Sequence, residues 1–177
     1  LEPDSRVTMI DQTNLIAYGG CGIPYFISGD ISDPGQLQST SFNMLRDEHF
    51  FKYAKDINVM TNTRATSIDR IKRIVSVQNA INGKKQILSY DKLVLATGSS
   101  PKHLPVPGGD LPGIFTLSNL NEAVAIKKEV AEGQVERAVI VGAGAIGLEM
   151  AEALADLWGI ETVVVEIMNQ ILPGIIS

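Results

Sequence analysis

The chain breaks its apolar residues into short runs separated by polar, glycine-containing gaps. That rhythm predicts short strands and helices joined by turns. Residues 6–10 alternate and are β-branched, which predicts a strand ending at Asp11. Residues 13–28 follow, with Gly19 and Gly20 leading into Cys21. Residues 41–51 suit a short helix with Ser41 as its N-cap. Short β-like runs come next at 57–60, 65–69, 74–79 and 86–89. Between the last two, Asn82-Gly83 predicts a tight hairpin whose two turn residues both take positive φ. Residues 92–96 (KLVLA) read as one more apolar strand, ending in a loop at 97–101.

Residues 101–118 are rich in proline and glycine, the composition of a linker or a long ordered connection. Residues 119–132 form an amphipathic helix capped by Asn119 or Asn121. The clearest unit follows: a buried strand at 138–141, a helix at 145–157 and a second buried strand at 161–165. Strand, helix, strand at this spacing is a βαβ unit with parallel strands and a right-handed crossover.

Composition narrows the possibilities. Of 177 residues, 45% are hydrophobic and 20% charged, an ordinary globular balance that argues against global disorder. The net charge of −5 argues against broad nucleic-acid binding. The longest uncharged apolar run, residues 138–148, is far short of the roughly 18 residues of a membrane span. The single cysteine excludes an internal disulfide and a cysteine-rich metal site. His49 and His103 lack ligand spacing and read as surface or loop residues, so no metal is expected. No signal peptide is visible and a cytoplasmic protein is expected. The chain opens on Leu1 in mid-pattern and reads as a piece of something longer.

Two places carry chemistry. The first is the complete G-x-G-x-x-G of Gly142, Ala143, Gly144, Ala145, Ile146 and Gly147. The first glycine allows the tight turn, the second lets a pyrophosphate approach the backbone, and the third lets helix and strand pack closely. The helix start then offers N–H groups and a positive dipole end to phosphates. Glu166 closes the next strand, roughly 20 residues on, where an acid accepts hydrogen bonds from a ribose and repels a 2′-phosphate. NADH is therefore expected over NADPH. The alternative is a glycine-rich turn with no ligand. Glu149, expected on the first turn of the helix, reads either as a stabilising charge at a helix N-terminus or as a cofactor contact.

The second place is Cys21, flanked by glycines in Gly19-Gly20-Cys21-Gly22-Ile23-Pro24-Tyr25. The glycines leave the thiol sterically open, and a helix starting near Gly22 would favour the thiolate. Read from the residues alone, Cys21 is either a nucleophile or a small buried hydrophobe.

Three segments, in order and spacing, carry a resemblance. They are residues 7–12 leading into Gly20-Cys21-Gly22-Ile23-Pro24-Tyr25, residues 93–101 (LVLATGSSP), and residues 139–149 (VIVGAGAIGLE). Together they resemble the pyridine nucleotide–disulfide oxidoreductases. The lone cysteine points to the branch of coenzyme A-disulfide reductases, NADH oxidases, NADH peroxidases and NAD(P)H sulfur reductases. The resemblance implies an α/β protein with two Rossmann-like dinucleotide-binding domains and an antiparallel β-meander, both domains incomplete. Residues 1–112 would be a partial FAD domain and 113–177 a partial NAD domain.

The resemblance also implies roles. Asp11 matches the acid on the adenosine ribose of FAD, and Gln12 lies beside the adenine. The Ala65 backbone meets the adenine, while Ala96, Thr97 and Gly98 pass close to the flavin. Glu149 lies beside the nicotinamide and Glu166 is the ribose acid. Cys21 is the redox cysteine next to the flavin. NADH would reduce FAD, and FAD would pass electrons to the sulfur of Cys21. In a disulfide or polysulfide reductase Cys21 would cycle through a mixed disulfide with a small thiol; in an oxidase or peroxidase it would cycle through sulfenic acid. The parent protein is expected to be a homodimer.

The sequence departs from the family at several points. The family's first strand and first G-x-G-x-x-G, its later FAD segment and its dimerisation domain have no counterpart in these 177 residues. The parent is expected to be the working enzyme, and the piece alone an inactive fragment with at most a nucleotide-binding unit. The branch's coenzyme A-disulfide reductases carry Ser-Phe-x-Asn before Cys-Gly, where this chain has Ala17-Tyr18-Gly19-Gly20. Lys55 aligns with a basic residue used for the coenzyme's phosphates and equally suits a solvated surface position.

Overall fold

The computed structural model describes residues 5–174. They form two compact units. The first comprises the chain up to Tyr18 together with Gln38–Gly98, and the second comprises Gly19–Leu37 together with the chain from Ser99 onward. This grouping does not follow a cut at residue 112, because the segment after Cys21 packs with the later helices.

In the first unit, β1 (Val7–Ile10) pairs in parallel with β2 (Ile57–Met60). β3 (Thr63–Asp69), β4 (Ile74–Asn79) and β5 (Lys85–Ser89) form the antiparallel meander. Its register shifts between Ala65 and Ser67, a bulge in β3. Val75, Val77 and Thr63 are the buried residues of this sheet.

The β4–β5 turn corrects the tight-hairpin expectation. Only Gly83 takes positive φ, at 71°, and the loop is longer than two residues. The Asn79 side chain accepts from the Ile81 and Asn82 N–H groups at 3.0 and 3.1 Å, which caps a wider turn.

The helix expected at 41–51 begins later, as α3 (Glu48–Lys55). Asp47 is its N-cap, accepting from Phe50 N–H at 2.8 Å. The preceding residues are held in a turn by Thr40, whose hydroxyl accepts from Phe42 and Met44 N–H, with Asn43 at φ 59°. The strand expected at 92–96 is also absent. An extended segment becomes a strand only with a ladder partner, and these residues have none among the described residues; all five are exposed.

In the second unit, a 3-10 turn (Gly20–Gly22) leads into α1 (Ile23–Ser28), and α2 (Pro34–Leu37) follows. Residues 101–118 have no regular structure, as the proline and glycine content predicts. α4 (Leu120–Ala131) is capped by Asn119, whose side chain accepts from Glu122 N–H at 3.1 Å. β6 (Arg137–Val141) and β7 (Glu161–Val165) are parallel neighbours. Between them α5 (Ala145–Glu152) widens into a π-helical turn, Ala153–Leu157. The core of this unit joins Phe26 and Ile27 of α1, Leu120 and Ala123 of α4, and Met150 and Leu154 around α5. No helix among the described residues is long and apolar enough to cross a membrane.

Candidate functional site

The glycine turn sits in the second unit, at the end of β6. Gly142 has φ 110°, a conformation that disfavours any side chain. Gly144 is the N-cap of α5 and offers no capping side chain, and a Cβ there would meet nothing within 4 Å. Its approach is therefore open. A Cβ on Gly147 would overlap the Gly142 carbonyl oxygen, so the helix meets the turn only through glycine. The three glycines thus occupy the three geometries that the motif requires.

The turn is also tied from behind. Gly142 N–H donates to the Val165 carbonyl at 2.8 Å. Ala143, fully buried, donates its N–H to Glu166 Oε2 at 2.7 Å and accepts at its carbonyl from Leu172 N–H at 2.8 Å. Glu166 Oε1 accepts from Met168 N–H at 2.9 Å. These backbone donors, Met168 first and then Ala143, hold the Glu166 carboxyl below the ordinary value of 4.5 against the opposing pull of burial. The carboxylate is therefore ionised, with lone pairs left for a hydroxyl donor. An open, uncapped helix start beside an anchored carboxylate suits a phosphate next to a diol.

Ala145 and Ile146 open α5 and are exposed. Glu149 is exposed on the second turn of α5, not the first, so a stabilising charge at the helix start does not describe it.

Cys21 lies in the 3-10 turn immediately before α1 and is exposed. Within the described residues the thiol is not part of a packed core. The turn is fixed by Gly22 N–H donating to the Gly19 carbonyl at 2.9 Å and by Gly19 N–H donating to the Leu37 carbonyl at 2.8 Å.

The remaining residues lie in the first unit. Asp11 follows β1, and its Oδ1 accepts from the Thr13 N–H and hydroxyl at 2.7 and 2.8 Å. The Asp11 backbone ties β2 to β3, donating to the Met60 carbonyl and accepting from Thr63 N–H. Gln12 is exposed, and Ala65 is exposed at the β3 bulge. Ala96, Thr97 and Gly98 are exposed, with Gly98 at φ 68°. The open cleft of this unit, lined by Asn14, Arg46, His49 and Thr61 among others, contains none of the expected site residues. Lys55 is exposed, as a solvated lysine would be.

Three contributors escaped the sequence reading. Leu172, at φ 48°, closes the glycine turn and carries no visible signal. Lys127 interrupts the buried α4 stripe of Leu120, Ala123 and Val130, and a charge on an apolar stripe was the available clue. Trp158, the one tryptophan, ends the π-helical turn and donates to the Ile27 carbonyl at 2.8 Å.

The family model described as "Pyridine nucleotide-disulphide oxidoreductase" matches residues 2–176, and the chain belongs to that family. An "NADH oxidase" of Methanocaldococcus jannaschii is 33% identical over 96% of this chain and 36% of its own length. A "Coenzyme A disulfide reductase" of Staphylococcus haemolyticus is 32% identical over 87% of this chain and 33% of its own. The solved structure of a "NAD-Dependent Persulfide Reductase from A. fulgidus" superposes with a TM-score of 0.93 at 38% identity, over 99% of this chain and 32% of that one. The chain spans about a third of the length of these proteins.

Proposed function

We propose that this chain is part of an FAD- and NADH-dependent oxidoreductase that breaks a sulfur–sulfur bond through Cys21. The observation that carries the reading is the exposed thiol in a glycine-flanked turn at the head of α1. The relatives named coenzyme A disulfide reductase and persulfide reductase support a sulfur substrate.

Gly142, Gly144, Ala145, Ile146 and Gly147 would take the pyrophosphate of NADH, with Glu149 toward the nicotinamide. Glu166, ionised, would accept from the ribose hydroxyls and repel a 2′-phosphate, which selects NADH over NADPH. Asp11, Gln12, Ala65, Ala96, Thr97 and Gly98 would line the FAD. Asp11 fits because one carboxylate oxygen is fixed by Thr13, which orients the group as an acceptor. FAD, when bound, supplies the relay that turns a hydride from NADH into electrons for sulfur.

The chain's own chemistry is at Cys21. Its thiolate attacks one sulfur of the substrate, the other leaves as a thiolate, and a mixed disulfide remains. Two electrons from NADH then cleave that mixed disulfide. Over the cycle, NADH, one proton and one disulfide become NAD⁺ and two thiols. A polysulfide substrate would follow the same balance. The reading expects the whole protein to be a cytoplasmic homodimer; the one cysteine of these 177 residues is in keeping with a reducing compartment.

A second reading has support in the relative named NADH oxidase: Cys21 would cycle through sulfenic acid with an oxygen species as acceptor. Cys21→Ser in the full-length protein tests both. Disulfide reduction should fall by about 100-fold or more while FAD stays bound. Undiminished disulfide reduction would remove Cys21 from the mechanism. Oxygen or peroxide consumption by the wild type, with no thiol formed, would favour the oxidase reading.

A further inference from the structure

α1 is six residues long, too short to hold its shape without tertiary support. Its last carbonyls have no backbone N–H partner inside the helix. The Tyr25 carbonyl accepts from Ser28 Oγ and Ile31 N–H, both at 2.9 Å, and the Phe26 carbonyl accepts from Gly29 N–H at 3.3 Å. The Ile27 carbonyl accepts from Trp158 Nε1 at 2.8 Å. Just beyond the helix, Lys127 Nζ donates to the Ile31 carbonyl at 2.9 Å and stands 4.0 Å from the centre of the Phe26 ring.

Both groups cost something to place there. Lys127 is half-buried, and that burial pulls its ammonium below the usual lysine value. A carbonyl, an aromatic face and the negative end of a helix together offset the cost. Trp158 arrives through the π-helical turn that extends α5. Such turns shift helix register by one residue and recur at functional positions. The covalent path is continuous: the Gly142 turn opens α5, α5 widens and ends at Trp158, and Trp158 bonds the helix that Cys21 precedes.

We propose that Trp158 and Lys127 are positioning residues for Cys21: Trp158 ties the last turn of α1 to the element that opens at the Gly142 turn, and Lys127 ties Phe26 and the segment just past α1 to α4. This rests on the role given to Cys21 above. A helix held at its C-terminal end by the Trp158 bond to Ile27 and by the Lys127 ammonium over Phe26, with Lys127 also bonding Ile31 just past it and with Ile23 and Ile27 buried, keeps the thiol turn in one orientation. Small misplacements of a reacting group are expensive, so the clamp should appear in the rate of the sulfur step.

The test compares Trp158→Phe, Lys127→Met and Lys127→Arg in the full-length, FAD-loaded protein. Three quantities are measured: NADH-dependent reduction of a small disulfide, NADH-dependent reduction of ferricyanide, which takes electrons without Cys21, and hydrogen exchange of the α1 amides. Trp158→Phe keeps an aromatic ring, smaller than the indole, and loses the donor. We expect it and Lys127→Met to lower kcat with the disulfide by about tenfold, leaving KM for NADH and the ferricyanide rate unchanged. The α1 amides should exchange faster in both. Lys127→Arg, which keeps a donor and a cation over the Phe26 ring, should keep the rate within about twofold of the wild type. Unchanged disulfide reduction, unchanged exchange at α1, or an equal loss of both activities would overturn the clamp. If the wild type reduces ferricyanide but no disulfide, the sulfur–sulfur reading fails on its own. The clamp then stands if α1 exchange rises in both donor-loss variants and Lys127→Arg reverses it, and falls if it does not.

Discussion

The second unit contains two glycine-flanked turns, each ahead of a helix, and they are built in opposite ways. At the Gly142 turn the glycines answer to local geometry. Gly142 needs its φ of 110°, Gly147 has no room for a Cβ beside the Gly142 carbonyl, and Gly144 leaves open space where a ligand would come. At the Cys21 turn neither flanking glycine has positive φ. A Cβ on Gly20 would meet nothing within 4 Å. A Cβ on Gly22 would run into a terminal methyl of Leu37, fifteen or so residues away in the chain. The first turn is specified by its own backbone and the second by what packs against it. A turn of the first kind announces itself in sequence; a turn of the second kind is assembled by partners that the sequence does not mark.

Alanine substitutions separate the two kinds. The largest effect is expected at Gly147, where the new methyl must displace backbone. Gly147→Ala should cost about 3 kcal/mol of stability and abolish measurable NADH binding. Gly144→Ala should cost only about 0.5–1 kcal/mol, the ordinary penalty at an N-cap, yet weaken NADH by about tenfold or more. Thermal melts and fluorescence titration read the two quantities separately. Equal stability losses at the two positions would break the distinction between a packing glycine and a ligand-facing one.

The same pair at the Cys21 turn should respond more weakly. Leu37 Cδ2 is the far end of a flexible side chain, so Gly22→Ala should cost about 1 kcal/mol as Leu37 shifts. Gly20→Ala should stay within about 0.5 kcal/mol of wild type. A loss at Gly22 as large as that at Gly147, by chemical denaturation, would show that the Cys21 turn is also fixed by its backbone.

The contrast explains what could be read in advance. The βαβ unit was legible because two apolar strands, a G-x-G-x-x-G and a spaced acid all agree; the observed β6, α5 and β7 match it in position, but the strands expected to be buried alternate between half-buried and exposed residues in this chain. The meander was legible from alternation and turn residues. The strand at 92–96 was misread because KLVLA has strand composition, while strand formation needs a partner that composition cannot supply. The helix at 41–51 was misread because Ser41 looked like a cap, while Thr40 claimed the local N–H groups for a turn and left the cap to Asp47. Cys21 could be picked out but not its surroundings. The hold of Trp158 and Lys127 on α1 and its flank depends on contacts between residues about 100 positions or more apart.

The smallest expected effect concerns the tie behind the glycine turn. Glu166 accepts from Ala143 and Met168 N–H groups, and its folded pKa is depressed below 4.5. A depressed carboxylate contributes stability that is complete above its unfolded pKa and is lost as pH falls through its folded pKa. The tie should therefore hold unchanged at neutral pH and loosen only as pH drops below about 4.5 toward the lower folded value. Glu166→Gln keeps the shape and removes the charge, so it can accept at one oxygen only. Denaturation of wild type and variant at pH 7 should show the wild type more stable, and at pH 3 the gap should narrow. A gap that stays constant across that range would mean the Glu166 charge does not hold Ala143. The first turn would then be fixed by its glycines alone, and the contrast with the Cys21 turn would be sharper still.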